Sequence, residues 1–372
     1  MPLRPVRRDA RRSSATVTDH DVDGASGPGR ARGGKTSTPD KMDTPETQAP
    51  RAAPSSAVHF TMACGSYDRT DALLAGEILV DGATVALEGI SDAFDRHQRM
   101  LGQRAFDVSE LSLSSYLIAR DRGDDLVGIP VFPYRMFRHQ FILVRRDHGI
   151  ERPEDLIGRR VGTPMYQTTT ALWVRGMLAD LYGVAASSVE WWTDRAELLP
   201  IAPPGVSIRR APQGTDVESL FRNGELDALV LIEEVPEYLL AVEGIERLFS
   251  DFPAAEAEYF ARTGIFPMMH AVAMRRGVHE AHPWLARRIY DAFERALGAA
   301  VERLRYPRVV SLAWTASYVE RERQVFGGNP YVYGVRRNRV ALDAAVRYSH
   351  EQGLTSRLLD VAELFVPELA ET

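Results

Sequence analysis

The stretch VGTPMYQTTTALWVRGMLADLYG, residues 161–183, limits the fold more than any other part of the chain. It reads as a short apolar strand, a loop of small hydroxyl residues and an amphipathic helix, the repeating piece of an α/β domain. Pro164 halts the strand because it has no amide hydrogen for a ladder. Thr168, Thr169 or Thr170 then caps the helix by accepting a hydrogen bond from an amide two or three residues on. Amides left free at such a helix start, with hydroxyls around them, bind a carboxylate or another anion without a metal. An ordinary capped helix carries the same pattern, so the neighbouring segments decide what the stretch is for.

A second loop of this kind lies in FDVSELSLSSYLIARDRG, residues 106–123, where residues 106–111 read as a strand and Ser112, Ser114 and Ser115 turn into a helix. Ligands of open α/β sheets sit beside such strand-end loops. Glu110 stands out because it is embedded in an otherwise apolar strand. Upstream, strands at 58–63 and 83–90 flank a turn carrying Tyr67, Asp68 and Arg69, and residues 91–103 read as a helix with Phe94, Met100 and Leu101 on one face. Strands at 126–132 and 140–144 enclose a Pro-rich turn bearing Tyr134, Arg135, Arg138 and His139. Two guanidiniums and an imidazole on one connection neutralise a dianion, although a solvated basic loop has the same composition. Trp191 and Trp192 fall in the next strand, and a later apolar strand ends in Glu233 and Glu234. His270 stands among apolar residues, the setting of a buried histidine satisfied by backbone. The remainder is mainly helical: a helix begins near Pro283, the Gly and Pro loop GGNPYVYGV follows, and helices cover 337–352 and 358–365.

At 372 residues the chain is long enough for two domains. Residues 1–56 hold almost no large apolar side chains and are expected to be disordered. Arg7, Arg8, Arg11 and Arg12 form pairs like those of twin-arginine signals, but no apolar stretch follows, so a cytoplasmic location is expected; Met42 is an alternative start. No apolar run is long enough to span a bilayer, and a net charge of −6 argues against a general nucleic-acid binder. Cys64 is the one cysteine, which excludes an intramolecular disulfide and a thiolate-rich metal site. GxGxxG, HExxH, CxxC and GxSxG are all absent. No cofactor is expected, while nine scattered histidines leave a divalent metal open.

Taken in order, these segments resemble the 4,5-dihydroxyphthalate decarboxylase family, whose members look like type II periplasmic solute-binding proteins. The resemblance is carried by YDRT (67–70), FDVSELSLSSYLIARDRG (106–123), IPVFPYRMFRHQFILV (129–144), DLIGRRVGTPMYQTTTALWVRGML (155–178), TGIFPMMH (263–270), HPW (282–284) and NPYVYGV (329–335), across nearly all of 58–366. Residues 194–204 depart from it, with Ala, Glu, Leu and Pro where a Gly-rich stretch belongs, and this bears on the pocket rim. The resemblance implies an α/β fold of two lobes with mixed sheets and a ligand cleft between them. The first lobe is expected at 58–147 plus 272–366, the second at 148–271.

It also implies non-oxidative removal of carbon dioxide from a hydroxylated aromatic acid, 4,5-dihydroxyphthalate to protocatechuate in type. Deprotonating a hydroxyl para to the carboxylate drives electrons to the ring carbon, which a nearby acid protonates. On this scheme Arg135, Arg138, Thr168 and Thr169 hold the carboxylates, with Tyr67, Arg69, Ser112, Ser114 and Gln167 as further binding residues. His139 or His270 donates the proton, Glu110 or Glu233 accepts the phenolic one, and Tyr166 and Trp173 stack on the ring. The partner is then a small aromatic dicarboxylate or related acid, with no nucleic acid or membrane, and a homo-oligomer is allowed. A non-catalytic solute-binding protein of a transporter, or an enzyme acting on another cyclic acid, is the alternative reading.

Overall fold

The computed structural model describes residues 58–372, so the disorder expected for residues 1–56 lies outside the described residues. Its strands are β1 (Val58–Cys64), β2 (Ala83–Gly89), β3 (Val108–Ser112), β4 (Leu126–Ile129), β5 (Ile142–Arg145), β6 (Arg160–Gly162), β7 (Glu190–Thr193), β8 (Ser207–Arg210), β9 (Ala228–Val230), β10 (Ile245–Arg247) and β11 (His270–Arg275). They build two sheets, ordered β2-β1-β3-β11-β4 and β10-β5-β9-β6-β7-β8. Each sheet is mixed: β11 runs antiparallel between β3 and β4, and β5 runs antiparallel between β9 and β10. The other pairings are parallel. The result is the two-lobed α/β architecture that the resemblance implies.

The chain crosses between the sheets twice. It leaves the first sheet after Ile129, where Pro130 and Pro133 interrupt the ladder, and enters the second at β5. It returns just before β11. The two crossing segments lie side by side, with Met136 N donating to Pro267 O at 3.1 Å and Met269 N to Tyr134 O at 2.8 Å. The lobe boundary expected at 147 is therefore too late, because β5 pairs with β9 and β10 of the second sheet. The return boundary shifts as well, since β11 already begins at His270. An apolar run identifies a strand, but its sheet is chosen by distant partners.

Side chains alternate across β5. Ile142 and Val144 join the core shared by both sheets, while Phe141 and Leu143 pack on the opposite face with Leu220, Phe221 and Leu239. The helix Thr169–Tyr182, expected to be amphipathic, is instead buried at every residue from Thr169 to Leu178. Its outer side is covered by the helix Arg339–Glu351, and only glycine at 176 leaves room for the Tyr348 ring, into which a Cβ there would collide. No helix among the described residues is long and apolar enough to cross a membrane.

Candidate active site

Antiparallel pairing of β3 with β11 sets His270 opposite Ser112 and Val272 opposite Glu110. His270 and Glu110 are thus diagonal neighbours on one sheet face, close enough for contact. His270 Nδ1 lies 2.5 Å from Glu110 Oε1. The carboxylate also accepts the Gly65 amide at 2.7 Å and the Tyr67 hydroxyl at 2.8 Å, and it pairs with the Arg96 guanidinium at 3.3 Å. Gly65 is required at the turn after β1, because a Cβ there would stand 2.5 Å from the Tyr67 ring. Burial by itself would raise the Glu110 pKa, but Arg96 first, then His270 and the Gly65 amide, outweigh it and hold the group far below the usual carboxylate range. For His270 burial dominates and depresses its pKa, against the opposing pull of Glu110. The pair therefore rests as carboxylate and neutral imidazole, with Nδ1–H donated to Glu110 and the Nε2 lone pair free.

His270 lines a cavity of about 640 Å³ between the two sheets. From the second lobe come Pro164, Gln167, Thr168, Thr169 and Thr170, which precede or open the helix Thr169–Tyr182. Thr168 is its N-cap and accepts the Ala171 amide at 3.1 Å, so the first amides of the helix keep no intrahelical partner. Thr169 Oγ1 meets Ser112 Oγ at 2.8 Å and accepts the Ser114 amide at 3.1 Å, tying the helix start to the end of β3. The Gln167 side chain is buried, and among the described residues neither Oε1 nor Nε2 has a hydrogen-bond partner. Arg138 reaches the cavity from the first crossing segment, 2% exposed, donating to Ile232 O at 2.6 Å and forming no ion pair among the described residues. A buried cation without a carboxylate in salt-bridge contact, beside a helix start whose first amides keep no intrahelical partner, favours an anionic ligand. Glu233 and Glu234 lie exposed on the second-lobe rim.

Several expected site residues stand elsewhere. Arg135 does not share the cavity of Thr168: its guanidinium turns to the second crossing segment and the Gly and Pro loop, donating to Phe266 O, Val332 O and the Asn338 side chain. His139 is walled in by Phe137, Phe249 and Tyr259, with both ring nitrogens unbonded and burial lowering its pKa to about 4. It does not line the cavity. Trp173 belongs to the core, its indole donating to Met268 O at 2.8 Å, and Tyr166 is enclosed beneath the Arg175 guanidinium at 3.6 Å. Neither ring stacks in the cavity. Ser114 is fully buried behind Thr169. Tyr67 supports Glu110, and the Arg69 guanidinium lies between the Tyr67 and Tyr331 rings, at 4.4 and 4.7 Å, off the cavity wall. Glu110, fully buried and surrounded by donors, cannot accept a substrate proton directly. Ser112, Arg138, Gln167, Thr168, Thr169, Glu233 and His270 do converge on the cavity.

Arg96 and His97, on the helix Ala93–Gln103, were not singled out by sequence reasoning. Their signal was present, since they precede Met100 and Leu101 by four residues and so share that buried face. Glu197 is a second omission: in the segment 194–204 it accepts the amides of Tyr166 at 2.7 Å and Gln167 at 3.0 Å and fixes the loop before the helix. Among the described residues no group of three or more His, Cys, Asp or Glu is placed to hold a metal ion.

No family profile matches the chain. Among solved structures, the periplasmic aliphatic sulphonate binding protein SsuA of Escherichia coli is similar with a TM-score of 0.48 and 15% identity, covering 84% of this chain and 98% of that one. The alkanesulfonate-binding protein SsuA of Xanthomonas axonopodis, bound to MOPS, gives 0.47 and 13%, over 86% and 98%. The 4,5-dihydroxyphthalate decarboxylase of Pseudomonas putida is 35% identical over 181 residues, 46% of this chain and 70% of that protein. The 4,5-dihydroxyphthalate decarboxylase of Comamonas testosteroni is 34% identical over 327 residues, 85% of this chain and 99% of that protein. With likeness sustained over the whole of that relative, the chain belongs to the 4,5-dihydroxyphthalate decarboxylase family.

Proposed function

We propose that the protein is a non-oxidative decarboxylase of a hydroxylated, phthalate-like aromatic acid, of the type that turns 4,5-dihydroxyphthalate into protocatechuate. One observation carries the reading: a single cavity opens onto both a Glu110-backed His270 and the buried, unpaired Arg138. Arg138 and the start of the helix Thr169–Tyr182 hold the carboxylates. His270 Nε2 takes the proton of the hydroxyl para to the departing carboxylate, and Glu110 stabilises the imidazolium that forms. The phenolate pushes its electron pair to the ring carbon, which takes a proton from water and leaves hydroxide. The bond to the carboxylate then breaks, carbon dioxide departs, and its electron pair restores the aromatic phenolate. The imidazolium returns its proton to that oxygen. His270 is thus the first acceptor rather than the donor expected from sequence, because burial keeps it neutral.

The test is to incubate the purified protein with a panel of hydroxylated aromatic acids, with and without chelator, and follow carbon dioxide. Release is expected from acids with a hydroxyl para to a carboxylate, with one deuterium on the product ring carbon in heavy water. Tight binding of these acids with no release from any would replace the enzyme by a solute-binding protein.

A further inference from the structure

His97 has no part in the scheme above, yet it lines the same cavity at 4% exposure. Its ring stands edge-on to that of His270, with centroids 4.8 Å apart and planes at 89°. Among the described residues neither ring nitrogen has a hydrogen-bond partner; Nε2 is enclosed, whereas Nδ1 is not, on a residue that lines the cavity. A proton on Nε2 would bury a donor with no acceptor; a proton on Nδ1 leaves only a lone pair unmet and turns the N–H toward the ligand. Burial, and then the neighbouring His270 and Arg96, keep this imidazole uncharged. Two neutral imidazoles in edge contact thus face one ligand with opposite polarity, His270 as acceptor and His97 as donor.

We propose that His97 is a specificity-determining residue whose Nδ1–H donates to the ring oxygen next to the hydroxyl that His270 deprotonates, so that the two imidazoles read an ortho-dihydroxylated ring. The proposal rests on the decarboxylase reading for its substrate. A donor facing an enclosed site penalises any ligand that lacks the matching oxygen, because the donor is then left desolvated and unpaired. A core histidine that merely fills space would show no such discrimination.

The experiment compares 4,5-dihydroxyphthalate with 4-hydroxyphthalate, by carbon dioxide release and by calorimetric binding, in the wild type, His97→Leu and His97→Asn. The wild type is expected to favour the diol about ten- to a hundredfold in kcat/KM and in affinity. In His97→Leu the ratio falls to within about threefold, whatever the absolute rates, and His97→Asn, which keeps an N–H near the Nδ1 position, restores most of it. Unchanged thermal unfolding separates loss of the contact from loss of the fold. A ratio that survives in His97→Leu, or a wild type that does not discriminate, overturns the proposal. Binding that discriminates through His97 without carbon dioxide release from either acid would overturn the decarboxylase reading and leave the His97 contact standing.

Discussion

On the first-sheet wall of the cavity Glu110 gathers the Gly65 amide, the Tyr67 hydroxyl, Arg96 and His270, so its charge is met within the protein. On the second-lobe and crossing-segment side, among the described residues Arg138 has no carboxylate in salt-bridge contact and the Gln167 side chain no hydrogen-bond partner. Burying polar groups costs free energy on both sides, and only the network around Glu110 recovers it without a ligand. The completed network holds a proton acceptor in one orientation. The incomplete one is complementary to something absent from the chain itself, which is how a binding surface differs from a structural one.

If that division holds, His270→Gln damages chemistry and spares binding: kcat falls by about 10²- to 10⁴-fold while calorimetric affinity for the substrate changes little. Loss of affinity in step with rate would merge the two walls. The wild-type rate should be full where His270 is neutral and fall with acidification, on a limb whose midpoint lies below 6.5 because burial depresses the group; His270→Gln should lack that limb. Glu110→Gln is expected to lower unfolding free energy by about 3–5 kcal/mol in denaturant titrations, since it strands Arg96 without its counter-charge. Arg138→Met breaks no ion pair, so its effect should appear as a KM raised about ten- to a hundredfold, the value of a charged hydrogen bond to a carboxylate. Arg135→Met sharpens the contrast: about 1–3 kcal/mol of stability is lost as its acceptors go unpaired, with KM unaltered. Gln167→Ala should weaken binding the least, about fivefold, the worth of one neutral hydrogen bond.

Much of the site's framework was legible because it is local. Thr168 caps the helix Thr169–Tyr182 and Ser112 the helix Leu113–Asp121 through bonds spanning three residues, and composition and spacing disclose such bonds directly. The crossing segment was legible only in part. Arg135 and Arg138 are three residues apart in irregular backbone, where no period of 2 or 3.6 tells which side chain turns inward; one became a strut between loops and the other a ligand-facing cation. His139 and His270 were equally plausible from their neighbours, until aromatic rings closed over one and the cavity opened beside the other.

What the chain determined by itself was its alternation of strands and helices, the hydroxyl-rich loops at strand ends, and a supply of guanidinium, imidazole and carboxylate groups near them. Hydrogen bonds and burial faces at short separation are enough to dictate these. Only the tertiary structure decided that Glu110 stands behind His270, that Arg96 and His97 complete that wall, and that β5 belongs to the second sheet. The contact between Glu110 and His270 joins residues 160 positions apart, through a strand register that no local pattern encodes.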